Sequence, residues 1–285
     1  MKRIAVLFHR NDSNPSLYVV HQFRRFWEED GYEVIYLFGT RQYVPADLLL
    51  VHVNLSVVPE EYLAFAARYP ISINGRLQDI RKTAISDNLI GPENSWDGPV
   101  IVKSNLNYFG TPERRLQRTW AEKKWPLLIR LHEGLKRRLR GKDLSNVLSN
   151  YKVFNHRGEI PSSWFAAKDI VIEKFRPEIE NGLFHLRMAQ VLGDRVRCTR
   201  IAAQEPVIKA NRSIHSEDIE PDPAVSEWRQ RFHVDYGKMD YVVSGGQAIL
   251  LDVNKTTGMT ANYRDAKTLD SARRFLAEGI YSYFT

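Results

Sequence analysis

The chain has 285 residues, 43% of them hydrophobic and 26% charged, a balance that suits a folded protein with a sizeable core and excludes a chain too polar to collapse. A formal charge of +7 favours acidic partners such as nucleotides, phosphates and carboxylates. The single cysteine, Cys198, excludes an intrachain disulfide and fits a reducing, cytoplasmic setting, and no apolar run approaches the ~18 residues of a membrane span.

The first ten residues read as a strand rather than a signal peptide, with Ile4–Phe8 apolar throughout. Val19, Val20, Phe23, Phe26 and Trp27 fall at helical spacing and predict an amphipathic helix over 18–30. The segments 32–38 and 48–53 read as strands, 59–68 as a helix with Pro59 near its start, and 71–74 as a short strand. Such alternation predicts a parallel sheet with helices on its faces over residues 1–75. No glycine-rich phosphate loop follows the first strand, where the sequence is Phe8-His9-Arg10-Asn11-Asp12. This first domain is therefore expected on the substrate side, or as scaffold, rather than as a Rossmann-type cradle.

A first lobe is expected over 76–150. It starts with a helix over 78–88, then a strand over 100–103 that ends at Lys103, then a polar loop over 104–110. Residues 112–142 carry eleven Lys or Arg and three Glu. Leu128, Leu131, Leu135 and Leu139 form an apolar stripe there, with Trp120 and Trp125 upstream, so one or two basic amphipathic helices are expected. A second lobe over 151–285 reads as strands and turns. Its expected strands are 151–155, 170–175, 183–192, 195–203 and 207–209, with a hairpin signal at Gly193-Asp194. Helices are expected over 224–232 and 265–284.

The chemistry concentrates near the end. Asp252 and Asn254 alternate to one face of an apolar strand, and Asp240 lies on the preceding strand across Ser244-Gly245-Gly246. Two carboxylates and an amide oxygen at one spot suit Mg²⁺, which keeps waters and substrate phosphates in its shell. The alternative is a turn cap followed by a strand end. The eight histidines show no zinc-like spacing, and no nucleophile elbow marks a serine hydrolase.

Taken in order, Lys82, Lys103, the strand Glu173-Lys174-Phe175, the acids Glu178 and Glu180, Arg187, Lys209-Ala210-Asn211, and then Asp240, Asp252 and Asn254 resemble the ATP-grasp fold, in particular its glutamate-ligase and glutathione-synthetase-like branches. The resemblance covers most of the chain. It implies an α/β N-terminal lobe followed by α+β ATP-grasp lobes, with the nucleotide between two antiparallel sheets. It further implies that Lys82, Lys103 and Lys209 meet phosphates, and that Glu173, Lys174 and Phe175 form the adenine-binding hinge. Glu180, with Glu178 as its rival, would bind the ribose, and Arg187 would meet the transferred phosphoryl group. Asp240, Asp252 and Asn254 would hold Mg²⁺, and Asn211 would reach phosphate or metal. Three features depart from the family pattern: aspartate at 252 where glutamate is usual, a loop over 104–110 with a single glycine, and the basic insertion.

The activity this implies is ATP-dependent joining of a carboxylate to an amine through an acyl phosphate, with acidic small-molecule or carrier-bound substrates. A kinase acting on a hydroxyl would use the same nucleotide site. A non-catalytic protein that binds nucleic acid or an anionic surface through 112–142 is the third reading, and no aromatic-lined RNA motif supports it. The oligomeric state is not legible.

Overall fold

The computed structural model describes residues 2–118, 150–209, 212–259 and 266–284. They form two compact units: residues 1–80 together with 177–285, and residues 81–176.

The first unit holds a four-stranded parallel sheet in the order β2-β1-β3-β4. Its strands are β1 (Arg3–Phe8), β2 (Glu33–Phe38), β3 (Leu48–His52) and β4 (Ile71–Ile73). Ile4 to Phe8 of β1 and all of β3 are buried, which is why both read as unbroken apolar runs. Helices α1 (Val20–Glu29) and α2 (Glu60–Ala66) join them. The expected helix over 18–30 begins later than its apolar spacing suggests. A 3-10 turn at Pro15–Leu17 precedes it, and Tyr18 is extended, bridging to Gly258.

The same unit holds a six-stranded antiparallel sheet. It contains β8 (Glu178–Glu180), β9 (Leu183–Leu192), β10 (Arg195–Ala203), β11 (His215–Ile219), β12 (Tyr236–Ser244) and β13 (Gln247–Asn254). The order is β11-β10-β9-β12-β13, with β8 paired to β9. Helices α5 (Ala224–Phe232) and α6 (Ala266–Ala277) belong to this unit, and α6 runs on into a 3-10 turn over Glu278–Tyr283. One core cluster joins Ile4, Val6, Phe8, Phe23 and Trp27 to Leu192, Tyr236, Leu276 and Ile280. Two polar clamps reinforce it. The Trp27 indole donates to the Ala277 carbonyl at 2.9 Å, and buried Asn74, at φ 57°, accepts from the amides of Asp235 and Tyr236 at 3.0 Å each. At the β9–β10 turn, a Cβ on Gly193 would stand 1.9 Å from the Gly279 carbonyl oxygen, so only glycine permits that approach.

The second unit is a three-stranded antiparallel sheet in the order β6-β5-β7, with β5 (Val100–Ser104), β6 (Lys152–Phe154) and β7 (Ile170–Lys174). Val100, Val102, Phe154, Trp164, Ile170 and Ile172 fill its core.

Two expected elements differ from the sequence reading. The helix over 78–88 shrinks to one turn, α3 (Lys82–Ile85), because residues 79 and 89 are taken by β-bridges to Val57 and Glu173. No strand forms over 207–209. Strand β11 pairs with β10 instead, from 215 onward, with a charged sequence that suits a sheet edge. The basic insertion contributes one short described helix, α4 (Thr111–Leu116), and its leucine stripe and both tryptophans lie outside the described residues.

Candidate functional site

The expected metal residues meet on the β12–β13 hairpin. Asp240 pairs directly with Asp252, and Lys238 with Asn254. A register shift follows Asp240, since Tyr241 pairs with Leu250, so Leu251 is the extra residue of a β-bulge. Opposed residues of an antiparallel ladder share a face, so Lys238, Asp240, Asp252 and Asn254 stand together. The hairpin closes tightly: a Cβ on Gly237 would lie 2.6 Å from the Asn254 carbonyl oxygen.

Lys238 was not singled out from sequence, although two residues along a strand from Asp240 it had to share that face. Its ammonium donates to Asp240 Oδ2 at 2.9 Å, with the two side chains 25% and 19% exposed. Burial would lower the Lys238 pKa, but the charge and hydrogen bond of Asp240, helped by the charge of Asp252, hold it above the usual value.

Two opposed carboxylates and an amide oxygen form a hard, all-oxygen donor set, and the local excess of negative charge already draws one cation, the Lys238 ammonium. The set fits Mg²⁺ with the remaining positions left to phosphate oxygens and water. Among the described residues no cluster of three or more His, Cys, Asp or Glu side chains is placed to hold a metal by itself. Asn254 Oδ1 accepts the Thr256 amide at 3.0 Å, which fixes the orientation of its side chain.

Arg187 lies elsewhere. It pairs with Tyr241, one position along from the Asp240–Met188 pair, and therefore points to the other face of the sheet. Its guanidinium forks onto Glu178, with Nε to Oε2 and Nη2 to Oε1 both at 2.9 Å. Arg200 Nε also donates to Glu178, at 3.0 Å, and Arg200 further pairs with Glu180 and Glu217. The Val243 amide adds a bond to Glu178 at 2.8 Å. Burial pushes the Glu178 carboxyl up, but these donors together hold it below its ordinary value. Glu180 is about half exposed, with Arg200 as its partner. Lys209 is exposed in the loop after β10, its carbonyl accepting the Arg212 amide, and Asn211 lies outside the described residues.

In the second unit, Lys103 on β5 forms an ion pair with Glu173 on β7, both side chains nearly buried. Lys82 is buried at the start of α3, where its amide donates to the Asn105 carbonyl at 3.1 Å. The loop after β5 is thereby tied to α3, and Thr83 adds bonds to Asn105 Oδ1 from its amide and hydroxyl. The amides of Lys174 and Phe175 donate to the carbonyls of Asn88 and Pro99 at 2.9 Å each. In the loop 104–110 the left-handed backbone falls on Tyr108, Phe109 and Gly110, at φ 47°, 57° and 68°.

No family model matches this sequence, and neither does any curated protein. Solved structures do match over the full length. D-cycloserine synthetase aligns with a TM-score of 0.53 at 9% identity, covering 99% of this chain and all of that one. The D-alanine–D-alanine ligase of Bacillus anthracis in complex with ATP aligns with a TM-score of 0.50 at 13% identity, covering 99% of this chain and 97% of that one. Both alignments take in 99% of this chain, and on them the chain has the ATP-grasp fold.

Proposed function

We propose that this protein is an ATP-dependent, Mg²⁺-requiring carboxylate–amine ligase. The observation that carries this reading is the Asp240–Asp252 ladder pair with Lys238 beside it, on a sheet of a chain with the ATP-grasp fold. Mg²⁺ held by Asp240, Asp252 and Asn254 would neutralise phosphate charge. Lys238 would follow the charge that builds on the transferred group, because its mobile ammonium is a point charge already at the carboxylate edge. Lys82 and Lys103 supply cations for the nucleotide phosphates, and residues 173–175 the adenine edge. Arg187 and Arg200, committed to Glu178, brace the sheet.

In the reaction, the γ-phosphoryl group passes to a carboxylate oxygen, releasing ADP and forming an acyl phosphate. An amine nitrogen attacks the acyl carbon, loses a proton, and expels inorganic phosphate. No side-chain nucleophile is required, which agrees with a site of cations and carboxylates. The names of the aligned proteins, a ligase and a synthetase, support this class of reaction. The test uses pooled amino and carboxylic acids carrying ¹⁸O in the carboxylate, incubated with ATP and Mg²⁺. A ligase delivers one labelled oxygen into inorganic phosphate and makes an amide. A phosphate ester with unlabelled phosphate would identify a kinase instead.

A further inference from the structure

A one-way chain of hydrogen bonds runs from the residues just after β13 to the loops that follow β3 and β1 within the first unit. The Thr256 hydroxyl donates to Asn54 Oδ1 at 2.9 Å, Asn54 Nδ2 donates to the Tyr18 hydroxyl at 3.0 Å, and the Tyr18 hydroxyl donates to Asp12 Oδ2 at 2.7 Å. Asp12 and Tyr18 are buried, at 2% and 4% exposure, and Thr256 is 5% exposed. The direction is set by chemistry. A carboxylate only accepts, so Tyr18 gives its proton to Asp12, its oxygen takes the Asn54 amide, and the Asn54 oxygen is turned to Thr256. Thr256 has one hydroxyl proton and spends it on Asn54.

The Thr256 hydroxyl also lies 3.5 Å from Asn254 Oδ1, which already accepts the Thr256 amide. An amide oxygen has two acceptor sites. If Thr256 donated its hydroxyl proton to Asn254, both would be filled. Because the proton is drawn away to Asn54, the second site on Asn254 Oδ1 is spared.

We infer that Asn54 is a positioning residue for the metal site: from the loop after β3 it holds the Thr256 proton away from Asn254 and so keeps Asn254 Oδ1 available to a divalent cation. The inference rests on the reading of Asn254 as a Mg²⁺ ligand. It makes an unusual demand on a double variant. Asn54→Ala releases the Thr256 proton to compete for Asn254, whereas Thr256→Val removes the competing donor altogether.

The experiment measures Mn²⁺ binding by electron paramagnetic resonance on the full chain with saturating ADP, beside calorimetry of ADP in EDTA. Asn54→Ala is expected to weaken Mn²⁺ binding about tenfold, within the range seen for groups that act through a metal ligand, while leaving ADP binding in EDTA unchanged. Adding Thr256→Val to Asn54→Ala is expected to recover at least half of that loss on a logarithmic scale. A double variant that binds Mn²⁺ no more tightly than Asn54→Ala overturns the inference, since a purely structural strut is already lost in the single variant and removing its second member recovers nothing. Unchanged Mn²⁺ binding in Asn54→Ala overturns it as well. If Asn54→Ala does not fold, Thr256→Val alone serves in its place. It removes the competing donor without touching the Asn54–Tyr18 bond, so Mn²⁺ binding at least as tight as in the wild type is expected, and a loss as large as tenfold is the overturning result. Wild-type protein that binds ADP equally with and without the ion would instead remove the metal reading itself.

Discussion

The Lys238 ammonium and Asp240 Oδ2 stand 2.9 Å apart on one strand, and Asp252 lies directly opposite Asp240 on the next. Two like charges facing across a ladder repel, and Lys238 is the cation that offsets them. In Lys238→Met the metal-free protein is expected to lose about 1.5–3 kcal/mol, the scale of a hydrogen bond to a charged group. Mg²⁺ should then raise its melting temperature more than it raises that of the wild type. Thermal melts with and without Mg²⁺ decide this; an equal response in both proteins would mean that Lys238 does not share the carboxylates with the metal.

Asp252→Asn replaces a charged metal ligand by a neutral amide of the same shape. Turnover is expected to fall at least about 100-fold, the upper range for perturbing a metal's surroundings, with the melting temperature nearly unchanged. A titration with Mg²⁺ that restores full activity to this variant would show that the carboxylate is dispensable.

The buried pair Lys103–Glu173 separates a structural role from a functional one. Lys103→Met removes the cation paired with buried Glu173, and a loss of about 3–5 kcal/mol is expected in urea unfolding. Replacing both, Lys103→Met with Glu173→Leu, should recover most of the stability without recovering ATP binding. Should calorimetry find ATP affinity restored in the double variant, the lysine serves the sheet and not the nucleotide.

His52 ends β3 with no exposed surface, packed by the rings of Phe8, Tyr18 and Tyr236 at 5.0, 4.7 and 6.0 Å. Burial lowers its pKa from 6.5 to about 3. The folded state therefore binds fewer protons than the unfolded state between those values. Its stabilising contribution is present above pH 6.5 and is lost as pH falls toward 3, by up to about 1.4 kcal/mol per pH unit. His52→Phe should flatten the decline in unfolding free energy between pH 7 and pH 5. Parallel pH profiles for variant and wild type would contradict this.

Much of the fold is legible in the chain because burial on both faces writes β1 and β3 as unbroken apolar runs, and because Ser244-Gly245-Gly246 announces the hairpin that brings Asp240 to Asp252. The edge strand β11 escapes notice since His215-Ser216-Glu217-Asp218-Ile219 has no apolar alternation, and its ladder to β10 is what makes it a strand. The helix over 78–88 fails for the converse reason: its local spacing is overridden by bridges at residues 79 and 89. Lys238 follows from alternation alone, two residues before Asp240 on one strand, whereas Arg187 turns on register. A strand pattern says that faces alternate, but only the pairing of Arg187 with Tyr241 says which face the arginine shares. Asn54 and Thr256 are 202 positions apart, and nothing local couples them.

The first unit is split in sequence, with residues 81–176 lying between its halves. Leu276 and Ala277 close the core that Ile4, Val6 and Phe8 begin. On a ribosome the parallel strands therefore emerge long before their cover is made. At about 5–20 residues per second, the interval between Ile80 and Ala277 is roughly ten to forty seconds. The intervening unit, continuous in sequence and with its own core, can fold during that wait, while the apolar face of the first sheet stays open to chaperones until α6 has been synthesised.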